Sequence, residues 1–258
     1  MNGDRFGLGV SSAFVKDRLR ALDSRYFGGR GRRWWSRNAV LGGGWGDFLD
    51  QATDVEDGAI VLDIGAGEAT LRDRFPRARY IAVDRGIGHT GWDYSALDAV
   101  GDALAIPLGP GTCDLVVSKQ VLEHMREPLH ALDEIRRVLK PGGRVLLSTN
   151  QQWPQHQQPH DFFRFTSFGL RYIFEQAGLQ VERIEPMGGA FSVALFGLSQ
   201  TLAPHIWSRG ARGHRIAAVV LRPVGWLMRL LMPLVSALDR LDRTKDNTLG
   251  YYVSARRA

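Results

Sequence analysis

The sequence predicts an α/β fold built on a doubly wound parallel sheet. Three observations carry this. An apolar run ends in a glycine turn at Gly65 and Gly67, and the next apolar run ends in a carboxylate, Asp84. From residue 59 onward, strand-type and helix-type segments alternate. Between residues 188 and 247 that alternation stops, in a segment far longer than an ordinary connection.

The elements follow in order. Residues 11–23 have the spacing of a short amphipathic helix with a serine cap. Gly28 to Gly46 is rich in glycine, arginine and tryptophan and reads as irregular. Trp45–Thr53 reads as a further short helix. Ala59–Ile64 is a buried-type strand, Glu68–Phe75 a helix ended by Pro76, and Tyr80–Asp84 a second strand. Thr112–Ser118 is a strand, and Pro128–Lys140 a helix with Leu129, Leu132, Ile135, Val138 and Leu139 at helical spacing. Pro141-Gly142-Gly143 stops it, and Arg144–Ser148 is the next strand. Thr166–Ala177 is a helix with a stop at Gly178, and Leu179–Pro186 a strand. Thr248–Arg257, rich in tyrosine and valine, is the last strand.

The chain has 258 residues, 44% of them hydrophobic and 23% charged, values of a globular protein. A lone cysteine, Cys113, cannot form an internal disulfide, which suits a reducing cytoplasm. The N-terminus begins polar and lacks an apolar h-region, so no signal peptide is expected. The net charge of +6 is uneven. Residues 1–45 hold nine Lys/Arg against three Asp/Glu, and residues 186–238 hold five arginines and no acid. Between them lies a mildly acidic centre. Such asymmetry points to an anionic partner: a membrane surface, a lipid phosphate or nucleic acid.

The glycine turn selects among nucleoside ligands. A dinucleotide fingerprint wants a third glycine at position 70, where this chain has Thr70. Asp63 before the turn and Glu68 after it would repel a pyrophosphate, and a cationic ligand end suits them better.

Five stretches in order now resemble the class I S-adenosylmethionine-dependent methyltransferases, of the type 11-like kind. They are Val61-Leu62-Asp63-Ile64-Gly65-Ala66-Gly67, Ile81-Ala82-Val83-Asp84-Arg85, Gly101-Asp102-Ala103-Leu104 with Ile106-Pro107-Leu108, Cys113 to His124, and Arg137 to Leu147. The resemblance spans residues 59–187. It implies a Rossmann-like seven-stranded sheet with a helical, apolar and basic insertion before the last strand. It also implies S-adenosylmethionine as cofactor. Asp63 would orient the glycine loop toward the methionine amine, and Gly65, Ala66 and Gly67 would approach the cofactor with bare backbone. Asp84, followed by Arg85, would take the ribose hydroxyls. Asp102 would take the adenine amine, beside Ala103 and Leu104. Lys119, Gln120 and Val121 would border the sulfonium. The domains expected are a basic segment at 1–45, a methyltransferase domain at 46–187 and 248–258, and the insertion at 188–247.

Two histidine sites fall at the carboxyl edge of the sheet, where ligands bind in such folds. One is His124 after the fourth strand. The other is the run from Gln155 to Phe165, with His160 next to Asp161. His160, Asp161 and His124 are the catalytic candidates. Three readings of the loop compete: a general base, a structural lid, and a divalent ion held through His156, His160 and Asp161. Pro159 argues against a helix that would set the two histidines on one face, and no metal ligand is assigned. The run Pro159-His160-Asp161-Phe162-Phe163-Arg164-Phe165-Thr166 resembles methyltransferases found with cell-surface polysaccharide synthesis. It implies O-methylation of a glycan, a lipid-linked sugar or another lipid-associated small acceptor. A quinone-type small molecule and a non-catalytic cofactor-binding scaffold are the alternatives. A nucleic-acid acceptor is disfavoured because Ser118-Lys119-Gln120-Val121 stands where base methylases carry an Asn-Pro-Pro-Tyr-type run.

Ala190–Ser208 has no charged residue, and Ile216–Leu238 only Arg222 and Arg229. Prolines and arginines make both poor membrane spans. Lying at an anionic membrane surface suits them better, which would put the protein in the cytoplasm, peripheral at the inner face. A packed lid or a dimer element is the competing reading.

Overall fold

A computed structural model describes residues 44–52, 55–88, 91–207, 227, 230–231 and 234–258. The expected helix at 11–23, residues 28–43 of the Gly/Arg/Trp stretch, and residues 208–226 lie outside the described residues.

Seven strands form one sheet: β1 (Ile60–Ile64), β2 (Arg79–Asp84), β3 (Ala99–Val100), β4 (Cys113–Lys119), β5 (Leu139–Asn150), β6 (Leu179–Pro186) and β7 (Gly250–Arg257), in the order β3-β2-β1-β4-β5-β7-β6. Among the described residues they are accompanied by the helices α1 (Gly44–Ala52), α2 (Pro128–Val138), α3 (Ser167–Gln176) and α4 (Ala190–Trp207). The sheet is mixed, not wholly parallel as the alternation predicts. β7 runs antiparallel to both β5 and β6. The reason is its approach. The chain leaves β6 into the insertion and returns beside its own exit: Met187 and Gly250 are joined by an amide–carbonyl bond of 2.8 Å. The buried Thr248 hydroxyl also donates to the Met187 carbonyl, at 2.8 Å. The insertion is thus a very long hairpin loop, and a hairpin joins antiparallel strands. At its base, Asp239 accepts the amides of Phe191 and Ser192, and Asp242 that of Ala190, capping α4.

Side chains of the central strands alternate between two cores. Leu62, Ile64, Val116, Val145 and Leu147 face α2 and α3, which bury Leu132, Ile135, Leu170 and Phe174. Val61, Leu115, Val117 and Leu146 face the other way, onto Trp45, Phe48 and Leu49 of α1 and Phe196 of α4. Covered on both faces, β1 and β4 carry the continuous apolar runs that such strands show.

One predicted helix is absent. After Gly67 the chain makes a series of turns closed by i→i+3 bonds, with only Arg72–Arg74 as a 3-10 turn. Ala69 takes φ +51°, which breaks a helical path, and Pro76 stops the chain before a regular helix can develop. The other boundaries shift by a few residues at most. Val138 ends α2, and Leu139, already extended, begins β5, so Pro141-Gly142-Gly143 lies within the strand.

Two features brace the turn after β1. Asp63 is buried beneath it and accepts a hydrogen bond from the Tyr80 hydroxyl. Burial pushes the Asp63 carboxyl up to about 7, despite the Tyr80 bond. Gly65 takes φ +76°, and a Cβ there would lie 2.2 Å from Val121 Cγ2. The turn and the end of β4 therefore fit only with a bare backbone at 65.

Two outcomes follow. The folded chain holds the Asp63 proton up to about pH 7, while the unfolded chain releases it near 3.8. Between these values the folded form binds the extra proton, so the stability from this site falls as pH rises. Asp63→Asn keeps an acceptor for Tyr80 and removes the titration. Urea denaturation across this window is expected to show at least about 1 kcal/mol less loss in the variant, the equivalent of one pKa unit. Gly65→Ala is expected to destabilise by about 1–3 kcal/mol. Adding Val121→Ala should recover part of that loss, and no recovery would refute the contact as its cause.

Candidate active site

At the carboxyl edge of the sheet lies an open cleft, walled by the loops after β1, β2, β4 and β5, the place where ligands bind in such sheets. Of the residues singled out from the sequence, Gly65, Asp84, Arg85, Ala103, Lys119, Gln120, Val121, His124 and His160 line it. Asp63, Ala66, Gly67, Asp102, Leu104 and Asp161 do not.

Asp84 ends β2 at the cleft and is only 9% exposed. Its two oxygens accept the amides of Gly67 at 2.9 Å and Gly86 at 2.7 Å. The carboxylate thus fastens the loop after β1 to the loop after β2. Each oxygen keeps a further lone pair for a ligand hydroxyl. A Cβ on Gly67 would lie 3.0 Å from the Trp92 ring, so the bare backbone makes room for this aromatic wall. Asp63 lies behind the cleft wall, where its carboxyl accepts the Tyr80 hydroxyl and braces the glycine turn. Asp102 accepts the Leu104 amide at 3.0 Å and lies 3.5 Å from the Arg85 guanidinium. It shapes the turn that sets Gly101 and Ala103 against the cleft. Gln120 takes φ +56°, an unfavourable conformation for a residue with a side chain. Its amide donates to the Ser148 carbonyl at 2.9 Å, which fixes the chain there.

The far side of the cleft is made by the loop after β5. Arg164 holds this loop with bonds to the Trp153 and Pro154 carbonyls and a two-pronged pair with Asp161, 2.7 Å on each oxygen. Asp161 also accepts the His156 amide at 2.9 Å. These partners hold its carboxyl below the usual range, against the opposing effect of burial. The pairing of Asp161 with His160 suggested by their adjacency is therefore not formed. The guanidinium fork outcompetes it, and the imidazole beside Asp161 is that of His156, at 3.5 Å.

The loop is zipped to the turn after β4. The Glu123 carbonyl accepts the amides of Phe162 and Phe163, and the His160 carbonyl accepts from His124 Nδ1 at 2.6 Å. Glu123 is fully buried, with Thr149 and Asn150 each donating to one carboxylate oxygen at 2.8 Å. Burial pushes its carboxyl up to about 7. Burial also lowers His124, and it pushes His156 down to about 4, with help from the neighbouring His124.

Sequence reasoning did not single out Trp92, Gly88, Met125 or Gln157, which also line the cleft. Gly86 and Gly88, close behind Asp84, are a signal for the first wall. Trp92 and Gln157 stand in irregular chain, where spacing carries no message.

Residues 62–147 match the family described as Methyltransferase domain. The demethylmenaquinone methyltransferase of Thermobifida fusca is 32% identical over 138 residues, 49% of this chain and 57% of the relative. The ubiquinone biosynthesis O-methyltransferase of Pseudomonas paraeruginosa is 30% identical over 136 residues, 53% of this chain and 52% of the relative. The chain spans 18% to 57% of the length of the curated relatives it matches. A solved structure of Haemonchus contortus phosphoethanolamine N-methyltransferase 2 with S-adenosyl-L-methionine shares the fold at TM-score 0.56 and 18% identity, covering 98% of this chain and 61% of that one. Strand order, the glycine turn with its β2 carboxylate, and the match over residues 62–147 together identify a class I S-adenosylmethionine-dependent methyltransferase domain within the chain.

Proposed function

We propose that the chain transfers a methyl group from S-adenosylmethionine to an oxygen of a lipid-associated small acceptor, with a glycan or lipid-linked sugar as the leading class. S-adenosylmethionine supplies a methyl already activated on a sulfonium, so the protein has to hold donor and acceptor in line and remove a proton. The cleft fits the donor: Asp84 offers lone pairs to ribose hydroxyls, Gly101 and Ala103 border the adenine, and Lys119, Gln120 and Val121 border the sulfonium. His160, on the facing wall, is the proposed general base, and it takes the proton as the acceptor oxygen bonds to the methyl.

One observation carries the lipid reading. α4 has no charged residue, and it seats Phe196 against Trp153 of the histidine loop, ring centroids 4.5 Å apart. The insertion is thereby coupled to the acceptor wall. It also leaves Leu227, Leu230 and Leu234 between 53% and 75% exposed, at spacings of three and four residues. A one-sided apolar stripe of this kind suits an interface with lipid. Among the described residues no helix is long and apolar enough to cross a membrane. The names of the quinone-pathway relatives favour a quinone-type acceptor as the second reading.

Two experiments test this. Protein incubated with methyl-labelled cofactor and a bacterial lipid extract is expected to place label in the organic phase. His160→Ala should lower that transfer at least about a hundredfold, with calorimetric binding of S-adenosylhomocysteine unchanged. Near-wild-type transfer would remove His160 from the mechanism. In vesicle flotation the chain should rise with anionic vesicles at low salt and remain below with neutral ones. Absence of co-flotation would sink the interfacial reading.

A further inference from the structure

Behind the cleft wall, Glu123, His124 and His156 bring one donor atom each within 4.8 Å of one another. The turn after β4 supplies two of them and the loop after β5 the third. The imidazole rings stand edge to face, 4.7 Å between centroids and 74° between planes.

The hydrogen bonds fix what these rings offer. His124 Nδ1 faces the His160 carbonyl at 2.6 Å, and His156 Nδ1 faces the Pro154 carbonyl at 3.2 Å. A carbonyl only accepts, so each Nδ1 carries the hydrogen and each neutral ring keeps its lone pair on Nε2. His124 Nε2 is buried, and among the described residues no donor reaches it. A buried acceptor of this kind calls for an explanation, and an ion is one. Glu123 is fully buried, and each of its oxygens accepts one side-chain bond, which leaves a lone pair on each. The surroundings orient the rings as outer partners orient metal ligands: the His160 carbonyl for His124, and Asp161, anchored by Arg164, beside His156 Nδ1.

We propose that Glu123, His124 and His156 bind a divalent transition-metal ion of the zinc class. Two imidazoles and a carboxylate suit such an ion better than magnesium or calcium, which prefer all-oxygen sites. Donors around one tetrahedral zinc sit about 3.4 Å apart, so modest side-chain rotation closes the site. Three protein ligands leave a fourth position open, the arrangement of catalytic zinc centres. Because His124 also lines the cleft, that position is proposed to take an acceptor oxygen. This last role rests on the function proposed above, whereas ion binding does not.

The test uses the full chain stripped with a chelator and needs no methyl transfer. Calorimetric titration with zinc alone is expected to show a site that magnesium does not fill. Glu123→Gln and His156→Ala should each weaken it at least about tenfold, and His130→Ala, at an exposed position on α2, should leave it unchanged. Thermal melts establish that the variants fold. X-ray absorption at the zinc edge of the unmutated protein supplies a readout independent of folding: two imidazole nitrogens at about 2.0 Å support the site. No zinc binding, binding equal in both ligand variants and the parent, or a sulfur shell from Cys113 would overturn the proposal, whatever the outcome of methyl-transfer assays.

Discussion

The Asp84 carboxylate is the constraint on which the cleft depends. It accepts one amide from the glycine turn after β1 and another from the loop after β2. Two loops with no regular structure of their own are thereby held as one wall. A carboxylate can do this because it has two oxygens and about four lone-pair sites, so two remain after the loops are fastened. The same group thus sets the shape of the wall and supplies ligand contacts from it. The bare backbone at Gly65 and the aromatic face of Trp92 against Gly67 only make sense once this clasp has fixed how close the loops come.

Opposite it stands a wall made differently. There the loop after β5 is held by Arg164 and by amides donated to the Glu123 carbonyl. Charge-assisted bonds of this sort are the strong ones, and they fix direction as well as distance. The consequence is a division of labour among neighbouring histidines. His160 reaches the cleft, while His156 packs inward beside His124.

Much of this was legible in the sequence, and the failures have physical causes. Strands β1, β2 and β4 were readable because buried strands are continuous apolar runs with abrupt ends. Asp84 and the glycine turn were readable because backbone conformation restricts residue type there. The helix after Gly67 was misread: apolar spacing between Glu68 and Phe75 suits a helix, but eight residues closed by a proline leave it little room, and Ala69 breaks it. The direction of β7 was not legible, because it depends on where a sixty-residue excursion returns. The part Asp161 plays in holding the loop was not read from the sequence, because adjacency to His160 was weighed above the two-pronged pull of Arg164, three residues on. The grouping of Glu123 with His156 joins residues 33 positions apart through tertiary packing, and no spacing rule reaches it.

The clasp at the neck of the insertion has a consequence for how this domain can be altered. Met187 and Gly250 are joined backbone to backbone, and Thr248 closes the same neck. The segment between them leaves and returns at one knot, and α4 at its start sets Phe196 into the core beneath. A short turn can bridge that knot without disturbing the register of β6 and β7. Whatever lies beyond α4 can therefore be exchanged while Phe196 still covers the core, so that what the domain presents to its surroundings can change without its donor wall.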